Sequence, residues 1–190
     1  MMLDDFKATI KAGDPMDIAT QHISKLAVHA LPGEEAYSAF KEQVSQLVPQ
    51  AEAVYIVGSG NWGFSLNPNK IWEPFRPESD IDVAVVSEHQ FLLIWEELRQ
   101  IHRKNWYKLD DETRTRLRRN GENVYCGFVS PAWIPFKSNA SAFAFRRVLN
   151  KLQGERVGYR RVTMMYYRNM VELVDYCKRG FIIARGRLRT

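Results

Sequence analysis

A strand-like Val54-Tyr55-Ile56-Val57 runs into Gly58-Ser59-Gly60, and Ser79-Asp80-Ile81-Asp82 later opens the apolar run Val83-Ala84-Val85-Val86. Side chains two apart on a strand share a face, so Asp80 and Asp82 project together while Ile81 and Val83 turn to the core. Two carboxylates side by side on a strand suit Mg²⁺, which takes hard oxygen ligands and shares them with substrate phosphates. A Gly-Ser turn after the preceding strand offers backbone N–H donors and a hydroxyl to those phosphates. The two segments together suit the handling of a nucleoside triphosphate such as ATP.

Gly58-Ser59-Gly60-Asn61-Trp62-Gly63 also reads as G-x-G-x-x-G after a strand, with an acid roughly 20 residues on, as in a dinucleotide-binding turn. Such a turn needs a helix that begins within the glycines and receives the pyrophosphate at its N-terminus. Here Pro68, Pro74 and Pro77 follow closely and leave room for only a short helical turn. A ribose-binding acid closes its strand, whereas Asp80 and Asp82 precede theirs. The dinucleotide reading is the weaker of the two.

Gly58-Ser59 followed by Ser79-Asp80-Ile81-Asp82-Val83 resembles the signature of the DNA polymerase β-like nucleotidyltransferase superfamily. Its small bacterial members include minimal nucleotidyltransferase antitoxins, tRNA-modifying toxins and nucleotide-signal synthases. The resemblance implies an α+β fold: a mixed sheet bearing the Gly-Ser turn and the Asp-x-Asp strand, packed by helices, behind an N-terminal helical lead-in. It also implies that Gly58 and Ser59 contact phosphate, and that Asp80 and Asp82 are catalytic and hold Mg²⁺ or Mn²⁺. Gly60, Trp62 and Ser65 lie in or beside the same turn and complete the expected nucleotide-binding set. Trp62, Trp72, Phe75 and Trp133 are candidates to stack a base, although large aromatics near sheet ends also serve as core or lid packing. The implied reaction transfers a nucleoside monophosphate from a triphosphate to a hydroxyl on an RNA end, a protein side chain or a second nucleotide.

Two departures from that pattern stand out. The connection from Ser59 to Asp80 is long, and Asn67 to Glu78 reads as an inserted flap, with Phe64-Ser65 continuing the phosphate turn. The superfamily also usually places a third carboxylate on a later strand. The strand-like runs Val124 to Val129 and Val157 to Tyr167 contain none, and Glu122 and Glu155 just before them, the only local substitutes, read more readily as surface residues beside a turn. A catalytically impaired nucleotide- or RNA-binding module, or an antitoxin-like subunit that binds a protein partner, is the alternative.

The net charge of +5 conceals an asymmetry. Residues 1–100 carry 7 Lys/Arg against 15 Asp/Glu, while residues 101–190 carry 20 against 7. A basic half on a triphosphate-handling core points to a polyanionic partner such as RNA, through Arg114 to Arg119, Arg146-Arg147, Arg160-Arg161 and the tail Arg185 to Arg189. Solvated helix faces, or pairing with the acidic half, would account for the same residues.

The chain reads as one domain over 1–190: a helical lead-in over 1–50, a catalytic core over 51–135 and a basic helical and strand part over 136–190. Helices are expected from Asp14-Pro15 to about Ala30, from Pro32-Gly33 to Val48, and from Glu88 to Asn105 with Phe91, Ile94, Trp95, Leu98 and Ile101 buried. Further helices are expected from Asp110 to Arg119 ended by Asn120-Gly121, from Ser138 to Gln153 with Phe143, Val148 and Leu152 inward, and from Asn169 to Arg179 ended by Gly180. Phe181 to Ala184 reads as an edge strand. No apolar run is long enough to span a bilayer and the start is unlike a signal peptide, so a soluble cytoplasmic protein with Cys126 and Cys177 as reduced thiols is expected.

Overall fold

The computed structural model describes residues 2–136 and 138–189. Runs rich in Val, Ile and Tyr form the four strands, as β-branched and aromatic side chains fit a pleated surface. β1 (Ala53–Val57), β2 (Ile81–Val86), β3 (Phe128–Val129) and β4 (Val162–Tyr167) make one mixed sheet in the order β1-β2-β4-β3. β2 runs antiparallel to β1 and parallel to β4, and β3 is antiparallel to β4. The protein is therefore α+β.

Eight α-helices are found among the described residues: α1 (Leu3–Ala12), α2 (Pro15–Ile23), α3 (Gly33–Leu47), α4 (Ser59–Trp62), α5 (Glu88–Asn105), α6 (Asp111–Tyr125), α7 (Ala140–Leu152) and α8 (Met170–Arg187). None is long and apolar enough to cross a membrane. Side-chain caps set several starts by accepting from amides of the first turn: Asp14 from Met16 at 2.8 Å, Asp110 from Thr113 at 2.8 Å, Asn139 from Ala142 at 3.0 Å and Asn169 from Glu172 at 3.1 Å.

Strand alternation sorts the core into two layers. Ile81, Val83 and Val85 of β2 face one way and join Tyr37, Phe40, Phe91, Ile94 and Phe145 under α3, α5 and α7. Ala84 and Val86 face the other way, with Phe6, Ile10, Leu173 and Phe181 of α1 and α8. Both faces of β2 are covered, which is why its sequence is continuously apolar after Asp82. Arg185 ties α8 to the end of α1 by donating to the carbonyls of Ile10, at 2.9 Å, and Gly13.

Several boundaries differ from expectation. α6 continues through Gly121 and takes up Val124-Tyr125, so the expected strand shrinks to Phe128–Val129. An exposed glycine inside a helix costs only about 1 kcal/mol; the break comes at Gly127, whose φ of 79° suits no other residue as well. α8 likewise passes through Gly180, and Phe181 to Ala184 is helix, not edge strand. Its buried residues Leu173, Cys177, Phe181 and Ala184 follow helical spacing, while Ile182 and Ile183 are exposed. α2 stops at Ile23, and the chain then turns back so that the amides of His29 and Ala30 donate to the carbonyls of Asn61 and Gly60. β4 starts at Val162, after a 3-10 turn at Glu155–Val157. Trp95 is 37% and Phe143 56% exposed; both stand beside arginines, Arg99 and Arg146, instead of in the core.

β1 lies at a sheet edge, and its Ile56 amide donates to the Tyr37 hydroxyl of α3 at 3.2 Å. Tyr37→Phe leaves that buried amide unpaired and is expected to cost about 1–3 kcal/mol. Urea unfolding should show a lower midpoint at an unchanged slope.

Candidate functional site

The register of β1 on β2 creates the site. Val57 pairs with Asp82, so the chain leaves β1 at Gly58 directly beside the Asp82 carboxylate. Gly58 has φ 64° and ψ −154°, a conformation nearly reserved for glycine. A Cβ there would lie 3.1 Å from Asp82 Oδ2. The backbone therefore calls for glycine at this position, and a side chain would also push Asp82 aside by a few tenths of an ångström.

Gly58 leads into the single turn of α4. The amides of Asn61, Trp62 and Gly63 bond back to Gly58 and Ser59, while those of Ser59 and Gly60 precede the first intrahelical bond. Asn61, buried, fixes the turn by donating through Nδ2 to the carbonyls of Ile56 at 2.9 Å and His22 at 3.1 Å. The chain then forms the expected flap. Phe64 bridges to Pro74, the Ser65 amide donates to Glu73, and the Phe75 amide donates to Gly63, the last two at 2.8 Å. Phe64 and Trp72 rest on Phe6 of α1, with ring centroids 5.7 and 6.4 Å apart.

These pieces enclose a cleft of about 730 Å³. Gly58, Ser59, Ser65, Asp80 and Asp82 line it, so most of the residues singled out in the sequence converge on one opening. Asp80 stands one residue before β2 and Asp82 on it. Gly60 does not line the cleft: it is buried, and a Cβ there would meet Ile56 and Ala30. Trp62 reaches the cleft wall but is only 7% exposed, its ring held between His22 and Phe181, which leaves little face for a base. Burial and the nearby Lys25 charge lower the pKa of that His22 to about 4, so it packs as a neutral ring.

The neighbouring strand supplies no acid. Thr163 of β4 is in register with Asp82 and donates its hydroxyl to Asp82 Oδ1 at 2.6 Å. Arg161 lies 3.7 Å from Asp80. Glu122 and Glu155 are exposed and do not line the cleft. Among the described residues no three of His, Cys, Asp and Glu converge as a metal-ligating group. Burial raises the Asp82 pKa above the ordinary carboxylate value; the Thr163 hydrogen bond opposes this, Asp80 adds to it and Arg161 opposes it again.

Two adjacent carboxylates, one of them penalised for its charge, fit a hard divalent cation, which would relieve that penalty. Mg²⁺ is commonly held by one or two carboxylates with substrate phosphates and water completing the shell, a mode that two carboxylates fit. The cleft also contains Lys70 and Arg76 from the flap, and Tyr176 and Arg179 from α8, none of which the sequence motif pointed to. Only the basic end of the α8 segment offered a signal for Arg179.

A carboxyl with a raised folded-state pKa costs stability once ionised, so stability is full below its ordinary pKa and falls as pH rises through the raised one. Asp82→Asn, which can still accept from Thr163, should melt a few degrees higher than the wild type at neutral pH. That gain should vanish below about pH 4. Added Mg²⁺ should raise the melting temperature of the wild type and not of the variant. Gly58→Ala should cost about 1–3 kcal/mol and remove the Mg²⁺ response, both read from the same melts.

Comparison with protein-family models, with curated proteins and with solved structures found no match, so the role of the cleft is read from its geometry.

Proposed function

We propose that the chain is a metal-dependent nucleotidyltransferase of the polymerase β-like type, which binds a nucleoside triphosphate in the cleft and transfers its nucleoside monophosphate to a hydroxyl. The observation that carries this reading is the Val57–Asp82 pairing, which sets a Gly-Ser turn against an Asp-x-Asp strand. The Ser59 hydroxyl and the first amides of α4 orient the phosphates, and Lys70, Arg76 and Arg179 offset their charge. Asp80 and Asp82 would hold the metal. When bound, it supplies charge neutralisation for phosphoryl transfer and lowers the pKa of the attacking hydroxyl. The acceptor oxygen bonds to the α-phosphorus, the bond to the β-phosphate bridge breaks, pyrophosphate leaves and the acceptor proton passes to water.

One observation favours a second reading, a triphosphate-binding module without turnover. The side chain in register with Asp82 is the neutral Thr163, where a third carboxylate would help activate the acceptor. Incubation with each α-labelled triphosphate, Mg²⁺ or Mn²⁺, and mixed cellular RNA separates the two. Transfer of label to RNA, protein or a second nucleotide is expected, reduced about a hundredfold or more in Asp80→Ala/Asp82→Ala. Binding that needs both aspartates but yields no transfer would establish the module instead.

A further inference from the structure

Many arginines of the basic half have work within the fold. Arg185 closes α1, Arg114 pairs with Asp111, Arg168 with Glu88 at 3.1 Å and Arg179 with Asp175. Arg118 lies over Trp106 at 5.0 Å and Arg160 over Phe75 at 5.4 Å. Arg116 and Arg119 of α6 and Arg146 of α7 share a further feature. They converge on a second cavity of about 720 Å³, between those helices and the 3-10 turn Pro131–Trp133.

Among the described residues no Asp or Glu lines this cavity, and its floor is apolar with the half-buried Trp133 at one side. Asn123 of α6 lines both this cavity and the Asp80/Asp82 cleft, so the two adjoin. Cations on two helices around an apolar floor with an aromatic ring suit a ligand that alternates phosphates with flat bases. A peptide would need acidic and aromatic side chains in alternation to match both, whereas every nucleotide of a single strand carries a phosphate and a flat base. We infer that the cavity receives a single-stranded polynucleotide, RNA or DNA, whose terminal hydroxyl reaches the cleft past Asn123. The role of that hydroxyl as acceptor rests on the transferase reading above; the binding itself does not.

Fluorescence anisotropy of the full chain with end-labelled single-stranded RNA and DNA, across a salt series, tests this. Arg116 and Arg119 are exposed, so Arg116→Gln/Arg119→Gln should fold normally, as its melting temperature will show. It should weaken binding about tenfold or more. Its salt dependence should flatten by about 0.7 in log–log slope for each phosphate that is no longer neutralised. Arg114→Gln/Arg118→Gln removes the same charge from the same helix outside the cavity and should stay within about twofold of wild type. The stronger of the RNA and DNA arms shows which strand the cavity prefers. Equal weakening by the two double variants would overturn the inference, as would failure of both strands to bind, or poly-glutamate competing as well as unlabelled RNA. Binding lost only in the cavity variant, with no label transfer in the wild type, supports the inference and sinks the transferase reading. Transfer and binding unchanged in the cavity variant do the reverse.

Discussion

Val57 opposite Asp82 is the contact on which the site depends. Antiparallel pairing converts two distant segments into one surface, because the residue after Val57 must emerge beside the carboxylate that Val57 faces. The torsion there favours glycine strongly, and any side chain would also crowd Asp82. A one-residue slip of β1 would reverse its faces and carry the Gly-Ser turn away from the acids. Tyr37, which holds the outer edge of β1 through Ile56, therefore guards the cleft from the opposite layer of the molecule.

The same sheet explains why one acid is more perturbed than expected from its position at a strand start. Asp82 shares its face with Ala84 and Val86, in the layer beneath α8, and is partly withdrawn from water. Thr163 satisfies one of its oxygens and leaves the other beside Gly58.

β1 and β2 were legible in the sequence as short runs rich in Val and Ile on either side of the Gly-Ser turn, whereas the later strands were not: α6 takes up Val124-Tyr125, β4 starts only at Val162 and 181–184 are helix. The α5 helix was legible to its ends, with Ser87 before it and a regular apolar stripe within it. Glycines misled where they sit inside helices: Gly121 and Gly180 continue α6 and α8, and nothing local distinguishes them from Gly127, which does end its segment. Thr163 and Arg161 could not be found, since the β2–β4 pairing joins segments about eighty residues apart and only that register gives them meaning. The tail arginines were legible as charge but not as structure, because the carbonyls that Arg185 meets belong to the far end of the chain.

The flap has its footing on the first helix. Phe64 and Trp72 lean on Phe6, and Lys7 stands 5.5 Å from the centre of the Trp72 ring. Trp72 itself holds a left-handed φ of 69°, which such contacts help to sustain. The flap beside the cleft is thus packed on α1. A substitution at Phe6 would therefore remove packing from the flap as well as from the layer beneath α8.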